Sequence, residues 1–530
     1  MRRKKIVCLV LSLMYSVFIS IGYSFEKYDD ISFFNKWYFS FIFFIMTFVI
    51  YFLLSFIFNR IPLKFGGIKS KRIKKIIDIF EMHPFLISLI VILVCWIPYM
   101  IAFYPGILSP DPDHQILQFF GIDNKYSYYS VLIDENMIIT NHHPVLHTLL
   151  LGGFVKIGTI FGNFNFGLFI YSFFQILVLS FTLAYVVKFL FDEKVGKLYS
   201  LSCLIIFALV PVFPFYAMSP VKDVIFTCLI IFYIIFIYNC VKTEKVNFWI
   251  IFVLILIILF RNNGFHIIIL SLPFLLFLKN GRKKILILTL FTLGFYYSYN
   301  HYILPYFHVT QTSVREVLSI PFQQTARYVK YYEDDVTDEE KAVIDKILDF
   351  DTIARRYNPQ KSDPVKNEYN RFATNEDLKK YFDVWLKEFE KHPDVYVAST
   401  FNNTYGYYYP SNNWYVYSNF NSLLNDYGFD YHYNNHYVLR IVLSGFAIIF
   451  PYIPFIGIIV NIGFSTWILL FMIGYLIYRK KYRFLCVYIP MIIVFLVCLA
   501  SPVNTYFRYA MPNIFAMPLA LGIFRKSIRY

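Results

Sequence analysis

Residues 84–115 read PFLISLIVILVCWIPYMIAFYPGILSPDPDHQ. From Pro84 to Tyr104 there is no charged side chain, and the run is long enough for a helix crossing a hydrocarbon core of roughly 30 Å. It stops at Pro105 and Gly106, and two carboxylates, Asp111 and Asp113, follow shortly after its end. Similar apolar runs lie near 6–24, 37–58, 165–190, 198–217, 224–241, 247–260, 265–278, 285–304, 455–478, 484–500 and 507–525. The expectation is therefore an all-α integral membrane protein of about 12 transmembrane helices.

Composition agrees. Of 530 residues, 58% are hydrophobic and 16% charged, against nearer a quarter charged in soluble domains. The 61 Phe and 46 Tyr suit lipid-facing helices and interfacial belts. A formal charge of +15 would fit a nucleic-acid surface, but the charges sit in short clusters between apolar runs, which excludes a continuous polyanion groove. The expected surroundings are a lipid bilayer, with no nucleic acid. All seven cysteines lie in apolar runs, so no disulfide framework is implied. Arg2, Arg3, Lys4 and Lys5 precede a long apolar stretch without a small-residue cleavage site, which reads as an uncleaved first span.

Orientation follows from the basic loops. The N-terminus, Arg60 to Lys75, Lys188 to Lys197, Lys242 to Lys245, Lys279 to Lys284, Arg479 to Arg483 and Arg525 to Arg529 fall on one side, the cytoplasm, if two apolar stretches do not cross. These are 144–161 and 439–453, read as re-entrant or interfacial helices. Both termini are then cytoplasmic. The chain divides into 1–83 (two spans and a basic loop), 84–304 (a membrane core with a first outer loop at 105–164), 305–437 (an extracytoplasmic, mainly helical region) and 438–530 (an interfacial helix and three spans). In the third part, Thr337 with Glu340 and Thr374 with Asp377 have capping-box spacing. Leu378, Tyr381, Phe382, Trp385, Leu386 and Phe389 recur at helical spacing as a core face. Thr400 to Phe420, rich in Asn and Tyr and containing Trp414, suits either stacking on sugar rings or a belt on lipid headgroups.

Ionisable residues at span ends are costly and mark function. Asp111 and Asp113 suit a general base or a metal ligand. Asn141-His142-His143-Pro144 opens the re-entrant helix with Pro144 at its first position, and His147 lies one turn beyond His143, a spacing that suits a divalent cation such as Mg or Mn, or an anion. Asp111, Asp113 and His143 are the candidate metal ligands. Lys222, Arg261 and Arg508 oppose the positive-inside bias, which suits either a grip on a lipid-linked phosphate or snorkelling to outer headgroups, and Lys222 with Asp223 also reads as a local ion pair. The chain has no P-loop, no dinucleotide fingerprint and no nucleophile elbow.

Tyr104-Pro105-Gly106, Ser109-Pro110-Asp111, Gln115, Asn141-His142-His143-Pro144, His147-Thr148, Pro220-Val221-Lys222-Asp223, Arg261-Asn262-Asn263-Gly264, Ser319 to Gln324 with Ala326-Arg327, and Arg508-Tyr509 resemble, together, a family of bacterial multi-span proteins similar to the GT-C glycosyltransferases. The resemblance covers about 84–525 and leaves the first two spans as an addition. It implies a bacterial plasma-membrane enzyme that moves a sugar from a polyprenyl-phosphate donor to a cell-surface glycan or cell-wall polymer on the outer face. Asp111 matches the catalytic carboxylate, and Asp113 stays as the other candidate. Arg261, Arg508, Lys222, His142 and His143 would hold the donor phosphate. Gln115, Asn141, His147, Asn263, Tyr509 and Trp414 would contact substrate. A lipid-linked glycan polymerase or ligase, and a secondary transporter, are the alternatives.

Overall fold

A computed structural model describes residues 2–61, 71–132, 137–411, 415–416, 421–501 and 503–529. Among these the chain is all-α, and extended segments pair only at isolated bridges such as Thr140 with Thr310. Six helices are long and apolar enough to cross a membrane: Arg2–Tyr28, Phe39–Arg60, Pro84–Ala102, Phe164–Asp192, Lys222–Thr243 and Tyr482–Leu499. That architecture fits an all-α membrane protein.

Several other expected spans fall on shorter apolar helices, some of them interrupted at prolines, whereas 507–525 is one long helix, Phe507–Ser527, with Pro512 and Pro518 inside it. The run 198–217 breaks after Lys197–Leu209, where Pro211 starts a separate helix, Val212–Ala217. Pro273 tightens the end of the Gly264–Ser271 helix into the 3-10 turn Leu272–Phe277. Residues 450–460 form short 3-10 turns around Pro451, so the next helix starts only at Ile462. The two stretches read as non-crossing are the helices Val145–Ile160 and Tyr437–Ile449.

The core forms around two helices. Phe164–Asp192 packs on Pro84–Ala102, Val145–Ile160, Lys197–Leu209 and Lys222–Thr243. Its approach to Val145–Ile160 requires glycine: a Cβ on Gly158 would stand 2.3 Å from the Gly167 nitrogen. Lys222–Thr243 is the most enclosed of the long helices and also packs on Ile250–Phe260 and Phe507–Ser527. The N-terminal helix is equally integral. Ser12, Ser16, Ser20 and Ser24 bury one stripe of it, and Thr47 donates to Ser16 at 2.8 Å. The carbonyl of Asp29 beyond it accepts from Arg327 and Asn402, each at 3.0 Å.

The 305–437 region has a core of its own, built from Phe322, Ile344, Leu348, Ile353, Tyr381 and Val384. Both expected capping boxes form, at Thr337 with Glu340 and at Thr374 with Asp377. The expected core face is narrower than its spacing suggests. Tyr381 is buried and Leu378, Phe382 and Trp385 flank it, but Leu386 and Phe389 point outward. Val384 takes their place inside. In the described part of the Asn- and Tyr-rich stretch most tyrosines turn inward. Tyr405, Tyr407 and Tyr408 are buried, and Thr466 and Trp467 donate to the carbonyls of Tyr407 and Tyr408 at 2.8 and 2.7 Å. Trp414 lies outside the described residues.

Candidate functional site

Four helix ends meet at one end of the bundle. Pro110–Phe119 begins just past the end of Pro84–Ala102, with Pro110 at its first position and Asp111 and Asp113 in its first turn, where a carboxylate suits the positive end of a helix. Lys222 and Asp223 open Lys222–Thr243. Arg261 directly follows Ile250–Phe260, and Arg508 sits in the first turn of Phe507–Ser527.

Asp223 is the centre of the cluster. It is fully buried, and its Oδ2 accepts from Arg508 Nε at 2.9 Å and pairs with Nη2 at 2.7 Å, while its Oδ1 pairs with Arg261 Nη1 at 2.8 Å. Arg508 Nη2 also donates to Asp111 Oδ2 at 2.7 Å, and Lys222 Nζ lies 3.7 Å from the same oxygen. The Arg261 guanidinium lies over the Tyr509 ring, 4.9 Å from its centre, and Arg508 Nη1 donates to the Tyr506 hydroxyl at 3.2 Å. Three cations and two carboxylates leave one positive charge in excess. Buried charges persist only when paired and hydrogen-bonded, so this network fixes its members in place.

The histidines add neutral groups. Lys222 Nζ lies 2.9 Å from His143 Nδ1. An ammonium only donates, so Nδ1 accepts and the ring proton sits on Nε2, a buried atom with no hydrogen-bond partner among the described residues. Burial, then Lys222, holds the His143 imidazole well below its usual range and keeps it neutral. His142 stacks on Tyr126, ring centres 4.1 Å apart, with Nδ1 3.7 Å from Glu316 Oε1. Burial pushes His142 down to about 3. His142 and His143 precede the helix, because Pro144 is its cap rather than its first residue. His147 is inside it and points elsewhere: its Nδ1 meets Gln115 Oε1 at 3.0 Å and its Nε2 meets the Tyr171 hydroxyl at 2.7 Å. Gln115 donates on to Thr148 at 2.9 Å. Gln115 and His147 thus form a closed network that locks the Pro110–Phe119 helix onto Val145–Ile160.

The two acidic candidates diverge. Asp111 joins the cluster, where Arg508 and Lys222 overcome burial and hold its carboxyl well below the usual range. Asp113 faces the other way and accepts from the Leu423 backbone at 2.8 Å and the Ser422 hydroxyl at 2.9 Å. Burial raises its carboxyl to about 7. Asp113 is a tether. The donor set also does not fit a divalent cation. Asp111 and Asp113 point apart, and the inward atoms of Asp111 and His143 are already matched to cations. Among the described residues no three His, Cys, Asp or Glu side chains converge as a metal site.

Asn141 positions the loop through its backbone: its amide donates to the Thr310 carbonyl at 2.8 Å, and its carbonyl accepts from Asn262 and Thr312, both at 2.8 Å. Asn263 is exposed at the start of Gly264–Ser271. Sequence reasoning quoted Asp223 in a motif without giving it a functional role, and it missed Tyr506 and Glu316 as members of the site. The signal for Asp223 was its position directly after Lys222 at the start of an apolar run. A wider cleft lies at the opposite end of the bundle, lined by Asn239, Thr243, Lys245, Asn247 and Lys284, with no comparable cluster.

No curated protein and no solved structure matches the chain. One family model does, and it covers residues 3–529, so the first two apolar helices are part of the family pattern rather than an addition to it. The chain belongs to the family described as a family of unknown function, DUF6020.

Proposed function

We propose that this protein is a glycosyltransferase of a bacterial plasma membrane, with about 12 crossings, both termini cytoplasmic and its site on the outer face. It transfers a sugar from a polyprenyl-phosphate donor to a cell-surface glycan or cell-wall polymer. The observation that carries this reading is the cluster of Arg261, Arg508 and Lys222 around Asp223 and Asp111 at one end of the helix bundle. An excess cation at the edge of an apolar layer suits a lipid whose headgroup is a phosphate. The basic groups Lys188, Lys242 and Arg483 lie at the other end, as the positive-inside rule asks of the cytoplasmic side.

In the reaction, the acceptor hydroxyl oxygen forms a bond to the anomeric carbon as the bond from that carbon to the phosphate oxygen breaks. The hydroxyl proton passes to the Asp111 carboxylate. The electron pair leaves on the polyprenyl phosphate, whose charge Arg508, Arg261 and Lys222 stabilise. Asp223 keeps both arginines in place. Direct displacement inverts the anomeric centre. The 305–437 region reaches the site through Thr310, Thr312 and Glu316, which suits it to select the acceptor.

The test supplies purified protein in lipid nanodiscs with a panel of radiolabelled polyprenyl-phosphate sugars and membrane-derived acceptor. Transfer from at least one donor, lost in Asp111→Asn, is the expected result. A folded Asp111→Asn protein with full transfer would sink the assignment of the base, and a folded wild type that turns over no donor would sink the reading itself.

A further inference from the structure

The two carboxylates of the cluster are held in unequal ways. Asp223 is 0% exposed and spreads both oxygens over two arginines. Asp111 commits one oxygen to Arg508 and Lys222, and its side chain is 27% exposed. That oxygen stands where an oxygen of an incoming anion would stand to meet the same two cations. Pro110 and Pro112 restrict the backbone on both sides of Asp111, so leaving this place is a side-chain rotation. With Asp111 in place the cluster has one uncompensated positive charge. With its carboxylate turned away, there are two.

We propose that Asp111 is a built-in competitor for the substrate phosphate, occupying the phosphate's place on Arg508 and Lys222 until the phosphate displaces it. This rests on reading the cluster as a phosphate site. The consequence is an order of events. In the resting protein Arg508, Lys222 and His143 face Asp111, with His114, His142 and Tyr126 behind them, and the carboxylate is a poor proton acceptor. Once phosphate takes Arg508 and Lys222, the carboxylate regains ordinary basicity next to the donor. The base is therefore active only when there is a donor to attack.

Competition makes an unusual prediction: removing a negative charge that does not contact the anion tightens anion binding. Full-length protein in nanodiscs is titrated with sulfate, a stand-in for phosphate that does not titrate near pH 4. Asp111→Asn is expected to bind sulfate roughly tenfold more tightly than wild type. Equal or weaker binding by the folded variant overturns the proposal. A second measurement needs no variant. In wild type at pH 4, calorimetry in buffers of different ionisation enthalpy should show uptake of about half a proton with sulfate, as a freed carboxyl returns to its ordinary range. Sulfate binding without proton uptake overturns the proposal. Tighter sulfate binding in an Asp111→Asn protein that still transfers sugar would leave displacement standing and remove Asp111 as the base, so the two readings fail separately.

Discussion

The Lys222–Thr243 helix carries charge at both ends, and the two ends hold it differently. At its start, Asp223 and Arg508 are sealed inside and share charge with Arg261, Asp111 and Lys222. At its finish, Lys242 pairs with Glu193, and Glu244 with Arg483, whose side chain is 53% exposed. Ion pairs in water contribute little, because solvent already stabilises each partner. A buried network has no such reserve, and losing one member strands the others. The first end is therefore held by a network that no member can leave without cost, and the second by ordinary surface charge.

Of single substitutions at the two ends, Asp223→Ala should have the largest effect. It strands Arg508 and Arg261 in a buried site, and a loss of about 3–5 kcal/mol in stability is expected, read as a large fall in unfolding temperature. Arg508→Gln comes next. It leaves Asp223 with Arg261 and Asp111 with Lys222, so the loss should be smaller, about 2–3 kcal/mol, with sulfate binding abolished in titration.

Asp113→Asn sharpens the contrast between the two carboxylates of one helix. Burial raises the folded-state carboxyl of Asp113 to about 7 from its ordinary value near 3.8. Its contribution to stability is therefore present below about pH 4 and lost as pH rises through 7. Asp113→Asn should match wild type at pH 4 and gain on it by about 1.4 kcal/mol for each pH unit up to pH 7, measured as unfolding temperature across pH. The smallest effect belongs to Arg483→Gln, below about 1 kcal/mol and with sulfate binding unchanged.

Much of the fold is legible in the sequence because a hydrocarbon layer demands long uncharged runs, and Pro84–Ala102 and Phe164–Asp192 stand where such runs do. The lengths of other helices are less legible, since Pro211, Pro273 and Pro451 interrupt runs that remain apolar throughout. Within the site, the charged residues at helix ends were readable as types, but their partners were not. Lys222 and Asp223 are neighbours and look like a private ion pair. Consecutive helical residues point about 100° apart, so Lys222 turns to Asp111 and His143 while Asp223 turns to the arginines. Asp111 and Asp113 separate for the same reason, two residues apart on one helix. His143 and His147 share a face only if both are helical, and the helix starts at Val145. Each of these pairings is set by contacts between segments far apart in the chain, which local spacing does not encode.

On the proposed function, the cluster around Asp223 recognises a lipid by its phosphate. The most direct test compares polyprenyl phosphate with the uncharged polyprenol of the same length, added to wild-type protein in nanodiscs while the unfolding temperature is followed. A rise with the phosphate, saturating at low lipid fraction and absent with the alcohol, is the predicted result. An equal response to both lipids, or none to either, would contradict the account.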